Sequence, residues 1–426
     1  MMTLKSTAAG AAAIALIATG AALATPTSAA AAGPAPAGSD GFRGRLVSVT
    51  GVETLSDRAA VTAELNADGF DPGSARYGVR SYRLVYQTVD AHGRPTTASG
   101  LLAVPITGAR QLPVVSYTHG TESYRDDAPS MQTTGFEPDP AYTFASAGFA
   151  TVDPDYLGLG TGPGTQPWMD VPSETTAALD LLRAARGYLA GQGVSLDRKV
   201  MVTGFSQGAS AALGLGRALQ DGADPWFRLG ALAPISGAYD FQNAEIPAIL
   251  DDELVTLNPV PQLGAKYEVM YTALMLVAVN RVRPIAGMPD KIIQPAYAGT
   301  IEQLLDGNHT DDQVFNGTPD DLKDLLTPYG SSLLAHPTGG LLAELRTIDG
   351  VCTGWVPGAP TRLYLADDDE QAVNANTQHC QASFAAAGAA VPTVDLGTPD
   401  NQGSRHYGSN VAGTADIVTW FTQLTH

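Results

Sequence analysis

Two cysteines in 426 residues, and 24 basic side chains against 43 acidic ones, mark this sequence by what is scarce. Two cysteines can neither staple a mini-protein nor build a zinc site alone. A formal net charge of −19 excludes a general nucleic-acid binder, because phosphate contacts need Lys and Arg in excess. It also argues against attraction to anionic lipid surfaces. No G-x-G-x-x-G fingerprint, Walker loop or H-E-x-x-H pair occurs, so the sequence predicts no phosphate cofactor and no catalytic metal. What is present is apolar material: 44% hydrophobic residues suffice for a large packed core and exclude disorder. The length allows two or three domains, or one large α/β domain with an insertion.

The start of the chain reads as an address. Lys5 supplies a short basic region, Ala11 to Ala24 an apolar run, and Ser28, Ala29 and Ala30 an A-x-A-like cleavage region. The apolar run is shorter than the ~20 residues that span a bilayer, and no later segment is both long and apolar enough. Residues 1–30 are therefore expected to be a signal peptide and 31–41 a Pro/Ala/Gly linker, with the mature protein secreted and not inserted stably in a membrane. An exported chain meets an oxidising compartment, so Cys352 and Cys380 are expected to form a disulfide.

Beyond the linker, two alternating runs flank Asp90-Ala91-His92-Gly93-Arg94-Pro95, predicting a β-hairpin. Strands are expected at Leu112 to Tyr117, Phe149 to Val152, Lys199 to Thr203 and Leu229 to Ile235. Helices are expected around Tyr142 to Ala147, from Ser173 as a cap to Leu189, and over Ala209 to Leu219. This alternation argues a mostly parallel sheet with helices on both faces. From Asp240 to about Arg346 strand signal gives way to helical segments, the most apolar being Tyr267 to Val279. Strands resume at Thr361 to Leu365 and Pro392 to Leu396, before a last helix carrying Ile417, Val418, Trp420 and Phe421. The division is thus an α/β core (42–240 and 347–426) interrupted by a helical insertion (241–346).

The chemistry-bearing motif is Gly204-Phe205-Ser206-Gln207-Gly208, a G-x-S-x-G set between a strand and a helix of small residues. Such an elbow needs glycines on both sides of a strained nucleophile and aims a helix N-terminus at developing negative charge. A serine hydroxyl needs a base and an orienting acid, which in this arrangement follow in the order Ser, acid, His. That order removes His92 and His119. His309 and His336 lie in the helical insertion without a strand-end acid before them. His379 sits on a helix beside Cys380, and His426 is terminal. His406, after the last strand and a polar loop, is the favoured base. The acid should follow strand Arg362 to Leu365, where Asp367, Asp368, Asp369 and Glu370 stand in a row, and pattern alone does not choose among them. His119-Gly120-Thr121 after a central strand suggests that the N–H groups of Thr121 and Gln207 form an oxyanion hole, with the His119 ring bracing the loop.

Taken in order, the hairpin VYQTVDAHGRPTTASGLLAVP, SYTHGT, PDYLGLG, GFSQG and LYLADDDEQAVNANT resemble the secretory-lipase family of α/β-hydrolase esterases and lipases. The resemblance runs from about Tyr77 to the C-terminus. It implies an α/β-hydrolase fold with a helical cap over the active site. It also places the catalytic acid on Asp369, since Leu363, Tyr364, Asn376 and Thr377 fall on the family pattern around that position. Ala372 and Val373 depart from it. The implied activity is hydrolysis of acyl esters or lipids by Ser206, Asp369 and His406 through an acyl-enzyme, with Tyr267 to Val279 lining an acyl pocket. Two rivals use the same sequence: a capped, aminopeptidase-like serine peptidase, with Glu245, Asp251, Asp252 and Glu253 as anchors for a substrate amine, and a non-catalytic binding protein on a hydrolase scaffold.

Overall fold

The computed structural model describes residues 40–425; the expected signal peptide and most of the linker, and the terminal His426, lie outside the described residues. Among the described residues, nine strands form one sheet in the order β1-β2-β3-β5-β4-β6-β7-β8-β9. β1 (Leu46–Leu55), β2 (Val79–Val89) and β3 (Pro95–Pro105) make an antiparallel flank, and β3 also runs antiparallel to β5 (Ala150–Pro154). From β5 onward the sheet is parallel, through β4 (Gln111–Thr118), β6 (Ser195–Phe205), β7 (Arg228–Ile235), β8 (Leu363–Leu365) and β9 (Thr393–Asp395). The hairpin between β2 and β3 turns where the sequence predicts: the Asp90 carboxylate accepts the N–H groups of His92 and Arg94, each at 2.9 Å.

The central strands are apolar on both faces because both are covered. Alternate residues point opposite ways. Val114, Val200, Val202 and Leu232 meet α3 (Val171–Gly191) and α4 (Gln207–Gln220), while Val115, Met201, Ala231 and Ala233 meet α2 (Asp139–Ala147) and the C-terminal helix Arg405–Thr425. α3 begins two residues before the expected Ser173. Its cap is Asp170, whose carboxylate accepts the Ser173 N–H at 3.1 Å, and Pro172 sits in the first turn, where its missing N–H costs nothing. Residues 46–67 supply β1 and α1 (Arg58–Ala67), which sequence patterning does not single out; β1 is a largely exposed edge strand with weak alternation.

Between β7 and β8 the regular elements are helices, apart from isolated bridges that join Ile293 to Leu326 and Thr361 back to Leu232 of β7. The longest, Pro261–Val282, packs Val269, Ala273, Leu276 and Val277 into a second apolar core belonging mainly to this insertion. A disulfide between Cys352 and Cys380 ties the end of the insertion to helix Ala375–Ala386. Among the described residues no helix is long and apolar enough to cross a membrane.

Several carboxyls are sealed inside this fold. Burial raises Asp139 to about 9, and Glu174 and Glu245 to about 8, against values near 4 in an unfolded chain. The folded state therefore holds protons that the unfolded state releases, so this contribution to stability is complete below pH 4 and is lost as pH rises through 8 to 9. The melting temperature should fall by about 5 °C or more between pH 5 and pH 9; a scan showing a flat or rising profile would refute this.

Candidate active site

β6 ends at Phe205, α4 begins at Gln207, and Ser206 turns the chain between them with φ 56° and ψ −121°. A residue with a Cβ adopts such a conformation at a cost of about 1–3 kcal/mol, so its surroundings must enforce it. The Ser206 N–H donates to the Ile235 carbonyl of β7 at 3.0 Å. The two motif glycines let β4 press against the turn: a Cβ on Gly208 would run into the Thr118 and His119 carbonyls, and one on Gly204 into the Thr118 hydroxyl. That hydroxyl reaches the Gly208 carbonyl at 2.7 Å. The elbow is thus wedged between two neighbouring strands.

Three residues far apart in sequence meet at its tip. His406 Nε2 lies 2.9 Å from Ser206 Oγ, and His406 Nδ1 lies 2.9 Å from both Asp369 oxygens. The imidazole is 2% exposed and Asp369 1%, so their hydrogen bond is shielded from water, while Ser206 stays partly exposed at the crevice. Asp369 Oδ1 also accepts the N–H groups of Gln371 (3.0 Å) and Ala372 (2.9 Å), which fix the carboxylate in its loop. The fold resolves the acidic run that the pattern left open. Asp367 and Asp368 are exposed, Asp369 and Glu370 are buried, and only Asp369 faces the ring.

Glu370, which sequence reasoning treated as one more member of that run, has a separate task. It accepts the Ser404 hydroxyl at 2.5 Å and the Arg405 N–H at 3.1 Å, and lies 3.4 Å from the His406 N–H. A negative side chain thereby sits on the first turn of the C-terminal helix, where unpaired N–H groups gather, and holds the backbone that carries the imidazole. Asn376, which the sequence offered only as a match to the family pattern, bridges two segments: its side-chain oxygen accepts the N–H groups of Tyr239 and Asp240, both at 2.9 Å, and its amide donates to Glu245. No local signal announces either task, since these partners are over thirty positions away.

Thr121 and Gly120 line a crevice with Ser206 and His406, together with Glu122, Glu137, Tyr271 and Tyr407. Gln207 is the first residue of α4; its side chain donates to Glu174 at 2.6 Å. The His119 ring packs on Tyr156 with 4.4 Å between centroids, its Nδ1 facing the Gly120 carbonyl at 2.9 Å. Burial pushes it down to about 4, so it stays neutral. The other histidines lie elsewhere: His379 contacts Asp240 and His309 contacts Asp306. The suggested amine anchors of the insertion do not reach the crevice. Glu245 is bonded to Asn376, and Asp251, Asp252 and Glu253 are exposed on its outer surface.

The helix Pro261–Val282 is fastened to both halves of the site. The Tyr271 hydroxyl donates to the Gln371 side chain at 2.6 Å, beside Asp369. The Tyr271 ring lies parallel to Trp168, whose indole N–H donates to the Thr121 hydroxyl at 3.0 Å. Two groups of three carboxylates, Glu64 with Asp68 and Asp139, and Glu122 with Asp127 and Asp311, bring oxygens within 4.8 Å of one another. An all-oxygen set of this kind suits a hard cation and not zinc.

No protein-family model matches the chain, and no curated protein matches it by sequence. Its fold does have solved counterparts. The esterase LipA of Xanthomonas oryzae, described as rice cell wall degrading, is 26% identical over 89% of this chain and 98% of its own, with a TM-score of 0.73. A Legionella pneumophila protein described provisionally as a hydrolase shares 24% identity over 89% and 98%, with a TM-score of 0.75. Candida antarctica lipase A shares 17% over 84% and 77%, with a TM-score of 0.60. Sheet order, elbow and neighbours agree: the chain has an α/β-hydrolase fold, similar to that of these esterase and lipase structures.

Proposed function

We propose that the protein is a secreted serine hydrolase of carboxylic esters. The observation that carries this reading is the unbroken hydrogen-bonded line from Ser206 Oγ through the His406 ring to Asp369, each step 2.9 Å. Ester hydrolysis as such also has the support of the esterase and lipase neighbours.

Ser206 Oγ attacks the acyl carbonyl carbon while His406 Nε2 takes its proton. The Asp369 carboxylate accepts a hydrogen bond from Nδ1–H, which fixes the tautomer leaving Nε2 free as base, and it stabilises the imidazolium that forms. The oxyanion is held by the N–H groups of Thr121 and Gln207. The latter opens a helix, where N–H groups have no partner within the helix. Collapse of the tetrahedral intermediate expels the alcohol, which receives the proton from His406. Water, deprotonated by the same ring, then attacks the acyl-enzyme and releases the carboxylic acid. Export rests on the leader-like sequence, and the Cys352–Cys380 disulfide is compatible with it.

The peptidase alternative uses the same three residues and differs only in the bond cleaved. Hydrolysis of p-nitrophenyl butyrate set beside aminoacyl-arylamides decides between them, with ester turnover expected to dominate. Ser206→Ala should lower kcat on the ester by about 10⁵-fold or more; a purified variant that keeps its turnover overturns the assignment. Asp369→Asn should lower kcat by about 10⁴-fold, because an amide favours the wrong tautomer. Asp367→Asn and Asp368→Asn should stay within about threefold of the native rate. Equal losses at all three positions would remove the special role of Asp369.

A further inference from the structure

Next to the Ser206 crevice, and sharing Thr121, Glu122, Glu137, Tyr271 and Tyr407 with it, is a cavity of about 440 Å³. It lies between the core and the insertion helix Pro261–Val282. One wall is apolar and aromatic, as the sequence suggests, with Leu263, Tyr267, Met270, Tyr271 and Leu274. The rest is not what an acyl pocket needs. Asp68, Glu122, Asp127, Glu137, Asp311 and Asp312 all line it, and among the described residues no Lys, Arg or His does.

Glu122 is the telling member. It is 8% exposed, and the neighbour its carboxyl meets is a second carboxyl, that of Glu137. Burial raises Glu122 well above the usual carboxylate range, with Glu137 and Asp311 adding to it, and burial raises Glu137 to about 7. Glu122 is buried and Glu137 half-buried, and two carboxyls in contact resist ionising together unless a positive charge comes near. The rings beside them are suited to such a charge: Tyr267 and Tyr271 are stacked 5.9 Å apart, and Tyr407 lines the same space. Aromatic faces and carboxylates together attract organic cations. An inorganic ion would occupy a small fraction of this volume, whereas the size matches ordinary organic ligand pockets of about 300–1,000 Å³.

We propose that this cavity is a subsite for a positively charged substituent of the substrate, an alkyl- or quaternary ammonium group seated between the Glu122–Glu137 carboxyls and the rings of Tyr267, Tyr271 and Tyr407. The inference rests on the ester-hydrolase reading, and it names the class of ester: one with a cationic group in its acyl or alcohol part. The acidic wall repels anionic substrates for the same reason.

The test uses the full-length native protein and pairs of esters that differ only in whether a quaternary nitrogen or a quaternary carbon ends the chain, one pair modified on the acyl side and one on the alcohol side. The cationic member of at least one pair should have a kcat/KM about tenfold or more above its carbon isostere. Glu122→Gln and Glu137→Gln should bring that ratio towards one. Asp311→Asn, at the more exposed rim, gives a milder version of the same change should the buried variants fold poorly. Tetramethylammonium should bind the native protein in calorimetry and inhibit competitively. Ratios near one or favouring carbon in both pairs, or a ratio unmoved in the variants, overturn the proposal, as does binding of calcium without binding of tetramethylammonium. If no ester is cleaved but tetramethylammonium binds and the glutamine variants abolish binding, the subsite stands and the ester-hydrolase reading falls.

Discussion

The site depends on one buried imidazole held at both of its nitrogens. His406 can lie between Ser206 and Asp369 only if the backbone beneath it is placed to within a fraction of an ångström, and that backbone is the first turn of a helix. Two consecutive carboxylates of one loop divide the work: Asp369 takes the ring, Glu370 takes the peptide N–H groups and the Ser404 hydroxyl. The helix is fixed further along by Ile417, Val418 and Phe421 against the sheet. The loop is fixed at its other end by β8, which pairs with β7 and β9. The position of a single ring is thus set by the packing of two elements that converge on it from opposite directions.

The serine is placed by a different device. Its strained backbone is a property of the β6–α4 turn, and the close approach of β4 is what the glycines at 204 and 208 permit. The same approach brings Gly120 and Thr121 to the crevice. Parallel pairing of β4 with β6, in register from Val114 with Val200 to Thr118 with Gly204, therefore sets the distance between the serine and the loop opposite it. Sheet register here sets the geometry of the candidate site.

Local features were legible in the residues. A G-x-S-x-G between an apolar strand and a small-residue helix, a His-Gly after a strand and a hairpin around Asp90 all depend on neighbours within a few positions, where periodicity and turn chemistry act. His406 could be singled out as a candidate because the expected order of serine, acid and histidine along the chain restricts where a base may come from. The acid was different. Asp367 to Glu370 are chemically alike, and which of them turns inward is decided by the bend after Leu365 and by the helix waiting behind it; the family resemblance, and not the pattern, pointed to Asp369. Glu122 and Glu137 could not be read at all, since fifteen residues and two loops separate them. The acidic residues that looked available in the insertion, Asp251, Asp252 and Glu253, are exposed and line neither crevice nor cavity, and the carboxyls that do line the crevice, Glu122 and Glu137, come from the core side. Edge strand β1 was missed because it buries too little to leave a period.

Sealing acids inside the sheet and its flanks also alters the molecule as seen from outside. Asp139, Glu174 and Glu245, raised to about 8 or 9, mostly keep their protons at neutrality, and burial pushes Asp153 and Glu122 the same way, so adding up acidic letters overstates how anionic the folded particle is. Its electrophoretic mobility and its isoelectric point belong to a milder polyanion than the 43 acidic side chains suggest, and unfolding would release that hidden charge at a stroke.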